Sequence, residues 1–229
     1  MRQTMRRARA RARTRTSAVR IAAATVAATT AAGVAAALAG AGPAQATATA
    51  VPSTSGSASG SASTSAAPSA HELLEAGDLP RARTPWVAGP VTEGAGGQRF
   101  CVDGLVPDTG AVHRDFHTDL ETSAFQVVYR AANEREARQL TARLRAAVEN
   151  CADELAEQYP EASVSERDYG RVHGIETAFP ESSLNVNLLG VAREGAFVTV
   201  VQWGQMGTLE TAPVRGFKKT LRTAETRLR

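Results

Sequence analysis

The chain has 229 residues, 26 Lys and Arg against 23 Asp and Glu, and a formal charge of +3. That sign misleads. Eight of the basic residues fall in the first 20 positions with no acid among them, and beyond residue 46 the balance is 18 bases against 23 acids, a net −5. A mildly acidic domain offers no electrostatic case for nucleic acid or an anionic membrane as partner.

The N-terminal arginines are Arg2, Arg6, Arg7, Arg9, Arg11, Arg13, Arg15 and Arg20. An uncharged stretch from Ile21 to Ala39 follows, and then Ala44-Gln45-Ala46, with small residues at the positions a signal peptidase reads. This order predicts a secretory signal over residues 1–46. The uncharged stretch is near spanning length, but Ile21, Val26, Val34 and Leu38 are its strongly apolar residues and the rest is largely Ala, Thr and Gly. Cleavage is therefore expected over retention as an anchor, leaving no membrane span. Lys218 and Lys219 are the sole lysines, and with abundant alanine they suggest a GC-rich source.

Residues 47–70 are Ser, Thr, Ala, Gly, Val and Pro without charge, a composition expected to be a disordered tether. Residues 71–229 have the length of one domain with its own core.

Within that domain, weaker strand candidates are Val112 to Phe116 and Ser163 to Val172, and Phe125 to Tyr129 is a stronger one. Asn133 with Glu136 reads as a capping box, followed by an apolar stripe of Ala137, Leu140, Leu144, Val148, Cys151 and Leu155 up to Pro160. Leu184 to Ala192 alternates, and Phe197 to Trp203 is nearly all apolar. The Arg193-Glu194-Gly195-Ala196 turn between them predicts an antiparallel hairpin. A second stripe (Val214, Phe217, Leu221, Ala224, Leu228) begins after Thr211 and Pro213. The expected fold is α+β: an antiparallel sheet with a long helix and a C-terminal helix packed on one face.

Cys101 and Cys151 are the two cysteines of the chain. In an exported protein they are most simply a disulfide. A reactive thiol is the competing reading, but neither has a histidine beside it and there is no CxxC.

Several constellations carry possible chemistry. His113, Asp115, His117 and Asp119 alternate and would share a strand face, as metal ligands or as a solvated edge. Ser182 or Ser183 with His173 and Asp168 makes a triad on paper, without a GxSxG elbow. Glu154, Glu157 and Glu161 could mimic paired carboxylates. Trp203 and Gln205, at the end of the apolar strand beside Gly204 and Gly207, could floor a ligand pocket, and Trp86 in its Gly- and Pro-bearing loop is similarly placed. No Walker loop, GxGxxG or HExxH occurs, so no cofactor is expected.

Leu73-Leu74, Asp78-Leu79-Pro80, Trp86, Cys101, Arg114-Asp115-Phe116 and Ala124 to Val128 stand in that order. The helix reaching Cys151 and the pair Gly190 to Gly195 and Trp203-Gly204 complete it. The pattern resembles secreted actinobacterial proteins similar to the extracellular sensor domain of PknH-type receptor kinases, over roughly residues 71–229. The resemblance implies an extracytoplasmic α+β domain with a cleft for a small ligand and no catalytic residues, and it gives the disulfide role to Cys101 and Cys151. That sensor domain has two disulfides where one is possible here, and these 229 residues are expected to hold no kinase domain.

The function expected is therefore a secreted, non-enzymatic ligand-binding or sensor-like domain at the cell envelope. A wall-associated interaction or inhibitor domain, and an unrecognised secreted hydrolase, are the alternatives.

Overall fold

The computed structural model describes residues 67–97 and 99–229. The expected signal segment, its apolar stretch and most of the expected tether lie outside the described residues.

Among the described residues, eight strands form one antiparallel sheet. They are β1 (Val87–Ala88), β2 (Thr92–Glu93), β3 (Ala111–His117), β4 (Ser123–Arg130), β5 (Ser163–Asp168), β6 (Val172–Ala178), β7 (Leu184–Glu194) and β8 (Phe197–Met206). Their spatial order is β1-β3-β4-β8-β7-β6-β5, and β2 also pairs with β3. Helix α1 (Glu134–Gln158) connects β4 to β5, and α2 (Val214–Thr226) follows β8.

The expected hairpin is β7–β8, closed between Glu194 and Phe197. Its turn uses Gly195 at φ 54°, the left-handed region open to glycine at little cost. The stretch read as one strand from Ser163 to Val172 is instead two. Asp168 Oδ1 accepts the Gly170 N–H at 2.7 Å, and Gly170 at φ 90° reverses the chain between β5 and β6. An Asx turn with a glycine is the local reason.

Asn133 caps α1, its Oδ1 accepting the Glu136 N–H at 3.0 Å while its Nδ2 donates to Glu136 Oε1 at 2.9 Å. The stripe from Ala137 to Cys151 is buried against Phe125, Val127, Ile175, Leu189, Val191, Val198 and Val200. The Cys101–Cys151 disulfide joins this helix to the loop before β3, with Cα atoms 5.3 Å apart.

The helices do not share a face. Phe217, Leu221 and Ala224 of α2 pack on the opposite side, against Val186, Leu188, Val201 and Trp203. Alternate residues of β8 thus serve different helices: Val198 and Val200 face α1, and Val201 and Trp203 face α2. Burial on both faces is why that strand reads as a nearly continuous apolar run. Gly190 on β7 makes room for the second helix, since a Cβ there would lie 2.7 Å from Leu221 Cδ2.

The second face carries one more layer, which we call the strap. It runs from Ser69 to Trp86 as two short 3-10 turns and extended chain. Its own Leu73, Leu74, Leu79 and Pro80 are buried. No helix of the described residues is long and apolar enough to cross a membrane.

Candidate functional site

The strap is held at many points. Ser69 and Glu72 form a reciprocal capping box at its start. Gln126, fully buried on β4, accepts the Leu74 N–H at 2.5 Å and donates to Glu72 O at 3.3 Å. Arg114 donates to Leu74 O at 3.0 Å and pairs with Glu75 at 3.0 Å. Further along, Thr220 of α2 donates to Asp78 O at 2.6 Å, and Arg227 pairs with the Asp78 carboxylate at 2.6 Å. Trp86 closes the strap on itself, its indole N–H donating to Pro80 O at 2.7 Å.

Two recesses flank the strap and share Arg81, Ala82 and Arg83 in their walls. The larger, about 620 Å³, lies between the strap and α2, with Trp86, Gly216 and Lys219 in its lining. Gly216 lets the strap come close to the helix, since a Cβ there would meet Pro80 Cβ at 3.1 Å. The smaller, about 310 Å³, adds Thr122, Trp203, Gln205 and Thr211. So Trp203 and Gln205 line one recess and Trp86 the other, on either side of the two arginines. Trp203 is a core side chain, 2 % exposed, that reaches the recess from below.

The strap alternates. Arg81, Arg83 and Pro85 are exposed, while Ala82, Thr84 and Trp86 turn inward and are half-buried. Among the described residues, the side chains of Arg81, Arg83 and Lys219 have neither an ion-pair partner nor a hydrogen bond. The Thr84 hydroxyl is buried without a partner. The acid in this wall, Asp78, is already neutralised by Arg227.

A third recess, also about 620 Å³, lies on the other face between α1 and strands β5 to β7. It brings His173, Asp168 and Glu166 together with Arg145, Glu149 and Arg171. Most of these groups are already engaged. His173 Nε2 is 2.9 Å from Glu166 Oε2, Arg171 pairs with Glu225 at 2.8 Å, and Arg145 donates to Val191 O at 3.4 Å. The paper triad does not assemble: Asp168 and His173 are cross-strand partners, but Ser182 and Ser183 are exposed in the β6–β7 turn, at the far end of β6 from His173. Glu154, Glu157 and Glu161 are exposed around the end of α1.

The alternating acids and histidines are not gathered into a metal cage. His113, Asp115 and His117 share a face of β3, but His113 is buried with Nδ1 2.9 Å from Gly94 O. Asp115 is held by Arg99 at 3.0 Å, and His117 and Asp119 are exposed. Among the described residues no group of three or more potential ligands is placed to hold a metal ion.

No protein-family model matches the chain. No curated protein matches it either. Among solved structures, the extracellular domain of PknH from Mycobacterium tuberculosis matches with a TM-score of 0.42 and 8 % identity, covering 62 % of this chain and 85 % of that one. The resemblance read from the sequence is thus met by a weak structural likeness and by no match in sequence.

The strap's anchors Gln126, Arg114 and Thr220 escaped the sequence reading. Each lies far along the chain from the strap atom it holds, 52, 40 and 142 residues away, so no local pattern announces it.

Proposed function

We propose that this chain is an exported, non-enzymatic ligand-binding domain of the cell envelope, with its site in the paired recesses along the strap. The observation that carries this reading is a contrast between recesses. In the recess under α1 His173 is held by Glu166 and Arg171 by Glu225 of α2, whereas the strap gathers Arg81, Arg83 and Lys219, none of them holding a carboxylate among the described residues, beside open volume. Buried polar atoms without a protein partner are few in native proteins, and the Thr84 hydroxyl in the wall of the larger recess is one. A disulfide-linked domain and a signal-like N-terminal sequence support an extracytoplasmic setting.

The test is a thermal-shift screen of the oxidised protein against wall fragments, sugars, sugar phosphates, lipids and divalent metals. A ligand that binds the folded state raises its melting temperature by mass action. The reading expects one ligand class to raise it, and Trp86→Ala to reduce that rise. A rise that Trp86→Ala and Gly216→Val both leave intact would place the site elsewhere and overturn the assignment.

A second reading has its own support. Leu120 and Met206 are 54 % and 52 % exposed, and Val87 and Leu184 are also exposed. All four lie at one end of the sheet, at or beyond the line of register that joins His117, Ser123 and Gly204. Exposed apolar groups gathered in this way favour a protein-interaction domain.

A further inference from the structure

Taking the strap recesses as the ligand site, we infer that the ligand is a small molecule carrying an anionic group, a phosphate or a carboxylate, beside an apolar or saccharide face. Arg81 and Arg83 project two residues apart from the outer side of the strap, and both recesses include them. Lys219 stands in the opposite wall of the larger recess, on α2. Guanidinium groups match the oxygens of phosphate and carboxylate with paired hydrogen bonds, and an ammonium adds a point charge.

What distinguishes these cations is that they line one recess whose acid, Asp78, is already taken by Arg227. Around the strap and α2, Arg114 holds Glu75, Arg171 holds Glu225 and Arg227 holds Asp78. Arg81, Arg83 and Lys219 hold no carboxylate among the described residues, nor do Arg215, Lys218 and Arg222 on the same helix. The net charge of −5 therefore hides a locally positive site, and a cleft lined by one sign of charge concentrates the opposite ion. The indole N–H of Trp86 is committed to Pro80 O, which leaves its ring as an apolar wall. The Thr84 hydroxyl is the unpaired polar group next to it. The overall negative charge disfavours a long polyanion, so a small ligand fits the arrangement better.

The experiment is titration calorimetry of the oxidised protein with inorganic phosphate, glucose 6-phosphate, glucuronate and glucose, at low and high salt. It is run on the native chain, on Arg81→Gln/Arg83→Gln and on Lys219→Gln. All three residues are exposed, and an unchanged melting temperature of each variant will verify its fold. Loss of a charge-assisted hydrogen bond should weaken binding about tenfold. The expected result is that glucose 6-phosphate or glucuronate binds at least about tenfold tighter than glucose. That preference should shrink in high salt and in both variants. Phosphate against glucuronate tells which anion is taken. Equal binding of glucose and its phosphate would overturn the anionic inference and leave the recess reading standing. Anion binding that neither variant weakens would place the anion elsewhere and also overturn it. The absence of binding by every anion would do the same, while a Trp86-sensitive neutral hit in the thermal screen would still uphold the recess.

Discussion

The side-chain carbonyl of Gln126 accepts the backbone N–H of Leu74 across 52 residues of sequence. The same amide donates to Thr199 Oγ1 at 3.1 Å, and Thr199 donates to Val127 O at 2.8 Å. One buried polar chain therefore locks the strap, β4 and β8 together, and the candidate site depends on a layer held from the middle of the sheet.

Replacing Gln126 with alanine leaves the Leu74 N–H buried without its acceptor, and such orphaned groups cost about 1–3 kcal/mol each. The expected result is a lower urea midpoint. Amide exchange should accelerate first at Leu74 and the strap, with the β7–β8 hairpin still protected. Uniform acceleration through the sheet would contradict a local anchoring role.

The disulfide closes a loop with a sequence separation of 50. The chain-entropy treatment values such a loop at roughly 4 kcal/mol, an upper figure in practice. Reduction, or Cys151→Ala, should lower the melting temperature substantially while far-ultraviolet dichroism keeps its native form at low temperature. An unchanged melting temperature in reductant would show that the bridge adds little to the core.

At the α2–β7 contact, Gly190→Val should drive a side chain into Leu221 and cost about 1–3 kcal/mol by overpacking. Leu221→Ala alone should cost about 2–5 kcal/mol by opening a cavity. Because the two positions compete for one space, the double variant should be more stable than the sum of the two costs implies. Strict additivity in urea melts would refute this packing.

Glu72 carries the pH dependence of the strap's start. Partial burial raises its pKa, but the Ser69 hydroxyl, the Ser69 backbone N–H and smaller contributions outweigh it and hold the carboxyl below its ordinary 4.5. A folded pKa below the unfolded one means the stabilisation is present above the unfolded value and is lost as pH falls through the folded one. Stability measured from neutral pH into the acid range should fall less steeply in Ser69→Ala than in the native protein. Identical slopes would contradict the capping role.

The elements with a local signature were legible in the sequence. Asn133 and the 3–4 spacing from Ala137 to Leu155 announce α1, and the glycine turn before Phe197 announces the β7–β8 hairpin. The near-continuous apolar run of β8 marks a strand covered on both faces, although the helices were expected to share one. The strap was opaque because its conformation is imposed by Gln126, Arg114, Thr220 and Arg227 from distant parts of the chain. Trp86, Trp203 and Gln205 stood out as residue types, but Arg81 and Arg83 became notable through what does not pair with them in three dimensions.

Amide chemical-shift mapping of the oxidised, isotope-labelled protein, titrated with the best ligand of the thermal screen, locates the ligand site directly. A site along the strap puts the largest shifts at residues 79–86, at Trp203 to Gln205 and at Gly216 to Thr223. Shifts concentrated instead around Arg145, Glu166 and His173 would move the site to the recess under α1 and contradict a site along the strap.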